Sequence, residues 1–260
     1  MARLIASLPM YDWPEISPLW DRLWNGARHA LEDAGIDAPQ KLSRGGDDGA
    51  RWRDPNLLVG QTCGWPFISR LGDAVLPFAR FDFGLGGAAG DYHSVFVQAH
   101  SDISPAGVLA DPNAVIAINS EDSQSGFRVL SNLVDAPTEL PLERFLVTGS
   151  HRASIRAVAS GQARLAAIDA VSWRLALVFE PAAAGLAVAG RSANVPGLPL
   201  IAAPLRKAQT AALRDAIGHG VSFLPPADRA VLGITGVVEA NPLDYAVLLH
   251  PPFGLLTLAK

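Results

Sequence analysis

This chain is short of most features that would assign it a class at once. It has one cysteine, Cys63, in 260 residues. An internal disulfide is excluded, and nothing in the cysteine usage marks an oxidising compartment. Charged residues make up 18% of the chain and the formal net charge is -4. No basic block of useful length occurs, so nucleic acid is not an expected partner. No stretch approaches the ~20 apolar residues that span a bilayer, so no membrane span is expected. The apolar run near the N-terminus is about six residues, too short for the core of a secretory signal. The chain as given therefore reads as cytoplasmic, and as periplasmic if it is the processed form of an exported protein.

Enzyme signatures are missing too. There is no Gly-x-Ser-x-Gly elbow, no His-Glu-x-x-His and no phosphate loop ending in Gly-Lys-Ser/Thr. The six histidines and the lone cysteine never fall at metal-ligand spacing, so neither a metal nor a cofactor is expected. The run Gly84-Leu85-Gly86-Gly87-Ala88-Ala89 formally fits a dinucleotide fingerprint ending in Ala. It leads into a strand rather than opening a helix, and is rejected on that ground. Cys63 has no base beside it in sequence and reads as a small buried side chain.

What is present is apolar pattern. About half of the residues, 49%, are hydrophobic, enough for one large core or two modest ones. Short apolar runs predict strands over 3–8, 57–61, 74–83, 93–98, 114–118, 145–147, 165–168, 186–189 and 198–203. Helical periodicity predicts a helix opening at Ser17-Pro18 and stopped by Gly35, and others over 123–134, 151–160, 171–178, 205–217 and 227–232. Buried strands alternating with helices imply parallel sheets covered on both faces. The runs over 93–98 and 186–203 stand between two such groups. The expected fold is α/β with two lobes joined by two hinge strands. Lobe 1 is 1–92 plus 197–260, and lobe 2 is 93–196.

The chemistry concentrates at two strand-to-helix turns. After the strand ending at Ile118 comes Asn119-Ser120-Glu121-Asp122-Ser123-Gln124-Ser125-Gly126-Phe127. One helix cap needs one Ser or Asp, and this turn supplies several. Free N–H groups at a helix start, with hydroxyls and a glycine that lets a ligand approach, suit an anion. An over-provided cap is the alternative. The second turn is Thr148-Gly149-Ser150-His151. In a parallel sheet both turns open on one edge and converge. His151 there can donate to an anion, or merely cap. Asp169, closing the next strand on that edge, can accept from a ligand, orient His151 or cap its helix. In the facing lobe, Tyr11, with Trp13, follows the first strand. Gln61, Thr62 and Cys63 end the second, and both edges suit a ligand-facing surface.

The two turns, with the continuous run from Thr148 to Asp169, resemble the phosphate/phosphite/phosphonate substrate-binding proteins of ABC transporters. The likeness runs from the first strand to about Ala203 and is loose beyond. It implies a type 2 periplasmic-binding-protein fold with a ligand between the lobes and an ABC permease as partner. It also implies that the Ser-Thr-Ser turn that holds phosphonate oxygens in such proteins carries over to Ser123, Gln124 and Ser125. The histidine carries over to His151, and Tyr11 is available for the tyrosine of the first lobe. Gln124 departs from the middle hydroxyl. The expected function is binding of a small anion, phosphonate-like or another oxyanion or carboxylate, without chemistry. A cytoplasmic enzyme on the same fold, akin to menaquinone-pathway enzymes or thiamine pyrimidine synthases, is the alternative, as is a ligand sensor.

Overall fold

The computed structural model describes residues 3–100, 102–136, 138–249 and 256–259. The chain divides into two compact units. One runs to Asp91 and resumes over Pro196–Ala246; the other holds Tyr92–Val195 and the chain from Val247.

The first unit is built on a five-stranded sheet in the order Ile5–Ala6, Leu57–Gln61, Pro199–Ala202, Leu76–Asp82, Gly236–Val238. Its first two strands are parallel and the remaining pairings are antiparallel. The helix Ser17–Asp33 begins with Pro18 in its first turn, where the missing N–H costs nothing. It ends as Gly35 takes a positive φ of 72°. The buried face carries Trp20, Leu23, Trp24, Ala27 and Leu31. Of the apolar stripe that helical spacing predicts, Leu19, Leu23, Ala27, Ala30 and Leu31, the structure buries Leu23, Ala27 and Leu31, and Trp20 and Trp24 take the place of Leu19 and Ala30 because they bury more apolar area. This helix meets Thr210–Phe223 closely. A Cβ on Gly220 would stand 2.5 Å from the Leu23 carbonyl oxygen. The expected helix over 205–217 is a 3-10 turn, Pro204–Gln209, followed by the α-helix.

The second unit has a five-stranded sheet in the order Ala187–Arg191, Ser94–Gln98, Leu165–Asp169, Ile116–Ile118, Phe145–Val147. The last three are mutually parallel, whereas Ser94–Gln98 runs antiparallel to both its neighbours. The sheets are thus mixed rather than parallel throughout. A strand buried on both faces shows a continuous apolar run in either direction, so its pattern does not encode its sense. Phe96, Ile116, Ile118, Phe127, Leu130, Phe145 and Leu165 share one core, with Phe127 edge-on to Phe145 at 5.5 Å. The helices His151–Ala159 and Ala170–Phe179 follow their strands as expected.

Two further expectations fail. No α-helix covers 123–134: the chain makes turns as far as Phe127 and then a 3-10 helix, Arg128–Leu133. The backbone closes wide there, Arg128 N–H bonding the Ser123 carbonyl and Val129 N–H that of Gln124. The chain end also leaves the first unit. Leu256–Ala259 pairs in parallel with Thr138–Pro141 of the second, because an apolar strand joins whichever edge offers it a ladder. Among the described residues no helix is long and apolar enough to cross a membrane, and no three His, Cys, Asp or Glu side chains group as a metal site.

Candidate functional site

The parallel pairing of Ile116–Ile118 with Phe145–Val147 puts the ends of these strands side by side. The two polar turns then stitch together. Thr148 N–H and its hydroxyl both donate to the Ile118 carbonyl, at 2.8 and 3.1 Å. Gly149 N–H donates to the Asn119 carbonyl at 3.0 Å. Gly149 holds a φ of 86°, a conformation that favours glycine. Ser150 then caps the helix, its hydroxyl oxygen accepting from Ala153 N–H. This order leaves His151 at the first helical position with its ring turned back toward the other turn.

There the expected convergence is realised. Ser125 Oγ and His151 Nε2 are hydrogen-bonded at 2.8 Å. Ser123 Oγ lies 3.5 Å from Ser125 Oγ and accepts from Gly126 N–H at 2.9 Å. Gly126 is required by space. A Cβ would collide with Asn119 Oδ1 and stand 2.9 Å from Asn119 Cγ and 3.2 Å from Ser123 Oγ. Ser123, Gln124 and Ser125 are all buried. The electrostatic setting is neutral. Burial holds the His151 imidazole down at a pKa of about 4, the Ala167 carbonyl opposing this only in part. At neutral pH the ring is uncharged and offers hydrogen bonds, not a cation.

The structure brings Ser123, Ser125 and His151 together, and Gln124 lies within the same turn. The convergence does not depend on the expected helix, since the 3-10 continuation leaves no α-helical dipole behind Ser123. Asp169 closes its buried strand beside Ser94, but its Oδ1 accepts from Val171 and Ser172 N–H at 2.7 and 3.2 Å. It serves as the cap of the next helix. Tyr11 and Thr62 belong to the other unit, at the ends of adjacent strands. The Tyr11 ring is buried edge-on to Phe83 at 5.2 Å, and the buried Thr62 hydroxyl donates to the Cys63 carbonyl at 3.4 Å. Both are worked into that unit's own packing.

Two contributors escape the sequence reading. Ser94 opens the antiparallel strand, and its buried hydroxyl donates to the Ser125 carbonyl at 2.9 Å, fixing the turn from below. A serine heading an apolar run was the available signal. Asn119 lends its carbonyl to one turn and its side chain to the hollow beside Gly126. Only its place directly after a buried strand pointed to it.

Comparison with known proteins bears on the family and the fold. The family model for the periplasmic phosphonate substrate-binding protein of ABC transporters matches residues 62–245, well past the expected limit near Ala203. PhnD1 from Prochlorococcus marinus, solved with methylphosphonate, is 16% identical with a TM-score of 0.69; the alignment covers 95% of this chain and 96% of that one. A binding component of an ABC phosphonate transporter from Pseudomonas aeruginosa is 19% identical with a TM-score of 0.66, over 94% and 84% of the chains. A Xanthomonas citri protein bound to ATP is 18% identical with a TM-score of 0.63, over 96% and 95%. At these identities the likeness shows the two-lobed binding-protein fold. No curated protein matches the chain in sequence.

Proposed function

Since the chain belongs to the family of periplasmic phosphonate substrate-binding proteins of ABC transporters, we propose that it binds a phosphonate or a closely related oxyanion through Ser123, Gln124, Ser125 and His151, and delivers it to an ABC permease from the periplasm. The observation that carries this reading is the 2.8 Å contact between Ser125 and His151 across 26 residues of chain. It joins a hydroxyl and an imidazole at the adjoining ends of two parallel strands, with the Ser123 hydroxyl 3.5 Å from that of Ser125.

The chemistry suits an ionised phosphonate, whose oxygens only accept. Ser123 Oγ already receives the Gly126 N–H, so its own hydrogen remains to be donated. Ser125 stands beside it, held from behind by Ser94 and from the side by His151. Hydrogen bonds from neutral donors to an ionised oxygen contribute about 1.5–3 kcal/mol each. Gln124 extends the donor set with an amide in place of a compact hydroxyl. Family membership favours carriage over the enzyme and sensor readings that the residues alone left open.

Isothermal titration of the full chain with methylphosphonate, phosphite, phosphate and sulfate tests the proposal. At least one of the phosphorus oxyanions is expected to bind and sulfate to bind more weakly. Ser125→Ala and His151→Ala are each expected to cost about 1–3 kcal/mol of that affinity. Full affinity in both variants, with an unchanged near-UV circular dichroism spectrum, would place the ligand elsewhere. Wild-type protein indifferent to every phosphorus oxyanion would remove the ligand class.

A further inference from the structure

The first unit carries an open cavity of about 700 Å³ that shares no residue with the Ser123–His151 site. It lies between the start of the first strand, the loop after the Ser17–Asp33 helix and the 3-10 turn Pro204–Gln209. Its walls are braced. Trp24 Nε1 donates to the Pro39 carbonyl at 2.9 Å, and Ile36 N–H closes the helix end onto the Leu31 carbonyl at 2.9 Å. Ser43 N–H bonds the Ala6 carbonyl at 2.7 Å, and the Ser7 hydroxyl donates to the Ser43 carbonyl at 2.9 Å. A loop tied at both ends and in the middle holds its shape without a ligand, so little ordering cost falls on binding.

The charge of this cavity runs against that of the molecule. In a chain of net charge -4, it is lined by Arg3, Lys41 and Arg206 against a single carboxylate, Asp37. Elsewhere many arginines sit on carboxylates, among them Arg22 on Asp228, Arg44 on Asp12 and Asp21, Arg80 on Asp244, Arg152 on Glu180 and Arg164 on Asp111. Among the described residues none of the three cavity cations forms an ion pair. Arg206 spends one nitrogen on Gln209 Oε1 at 3.3 Å, and its Nε is buried with no hydrogen-bond partner. The cavity thus gathers three cations that no carboxylate of the protein neutralises, and an anion would supply the missing partner.

We propose that this cavity is a second anion site, taking a small polyanion that carries two or more negative charges, such as an organic diphosphate. Its volume falls within the range of small-molecule sites, ~300–1,000 Å³. Arg206 and Arg3 supply planar forks suited to a phosphate, and Lys41 supplies a point charge. Ile36 and Pro39 give the wall an apolar face for the organic part. Because the rim is open to solvent, the attraction is screened by salt, unlike hydrogen bonding at the buried site.

The experiment is isothermal titration of the full chain with ADP and with inorganic pyrophosphate, at low and at high ionic strength. Binding of both in competition is expected, weakening as salt rises. Arg206→Gln and Lys41→Gln, changes at the surface that leave the core intact, are each expected to weaken ADP about tenfold or more, the loss of one charge-assisted contact. Neither is expected to alter methylphosphonate affinity, and Ser125→Ala is expected to leave ADP binding unchanged. ADP binding that survives both cavity variants, or that disappears in Ser125→Ala, overturns the proposal. So does the absence of any ADP or pyrophosphate binding to the wild type at low salt.

Discussion

Replacing Gly126 by alanine tests how tightly the Ser123–Ser125 turn is built. The backbone at Gly126 is not in the left-handed region, so alanine can adopt it without strain. Removing the freedom of a glycine from the unfolded chain would then stabilise the protein by ~0.4–1 kcal/mol. The new methyl group, however, would coincide with Asn119 Oδ1 and press on Ser123 Oγ from 3.2 Å. Overpacking of this kind costs ~1–3 kcal/mol. The obstructing atom is a side-chain end, which can rotate, so a net loss near ~1–2 kcal/mol is expected from the two ranges together. At ~2–4 °C per kcal/mol for a chain of this size, the transition that melts this unit should fall by ~2–8 °C. Differential scanning calorimetry on the wild type, Gly126→Ala, Asn119→Ala and the double variant reads it directly. If Asn119 is the obstacle, the double variant loses less than the sum of the singles. A Gly126→Ala protein as stable as wild type, or strictly additive effects, would refute the close fit.

Two other perturbations follow from buried charge. The His151 pKa lies at about 4 in the folded chain against 6.5 unfolded, so between these values the unfolded chain binds the extra proton. Stability is then full above pH 6.5 and falls as pH drops toward 4, by ~3 kcal/mol in total; urea melts across this window should show a shallower loss in His151→Gln, and an identical profile would contradict the assignment. Glu180 is the second case. Burial alone would raise its carboxyl, but Arg156 and Arg152 bring it down to about 2, with contacts of 2.7 Å from Arg152 Nε and Arg156 Nη2. Glu180→Gln should lower stability by ~1–3 kcal/mol in chemical denaturation at pH 7, since it leaves two guanidinium groups short of their carboxylate; no change in midpoint would show that the network contributes nothing.

The sequence was informative where local chemistry and tertiary demand coincide. Leu57–Gln61 and Leu165–Asp169 fall where the apolar runs predict them, because strands buried on both faces must be continuously apolar. The helix from His151 is marked by Gly149 and by the Ser150 cap, both local requirements. Strand direction was not legible, since Ser94–Gln98 reads the same either way. The turn after Ile118 was legible as polar but not as non-helical. Phe127 and Leu130 have helical spacing, yet the chain there first accommodates Asn119 against Gly126 and only then tightens into a 3-10 helix. The partners of Ser125 divide in the same way. His151 announces itself by its neighbours in the second turn, whereas Ser94 reaches Ser125 only through an antiparallel pairing that no periodicity reveals. Asp169 carried the right residue type for three roles, and the structure shows it capping the next helix.

The proposed phosphonate site and the cavity lined by Arg206 solve one problem in opposite ways. At the strand ends a permanent cation would be costly to bury, and the protein keeps His151 neutral and lets dipoles meet the anion. Each dipole there is already oriented by another bond: Ser123 by Gly126 N–H, and Ser125 by His151 with its carbonyl held by Ser94. Oriented neutral donors need no reorganisation when the ligand arrives, and they leave no unpaired charge when it departs. A carrier that must give up its cargo gains from that symmetry, since the empty state is not penalised by a stranded cation. At the solvent-facing cavity the same reasoning inverts. Water covers the cost of exposed cations, so Arg3, Lys41 and Arg206 can remain charged while empty, and their pull is tuned by salt.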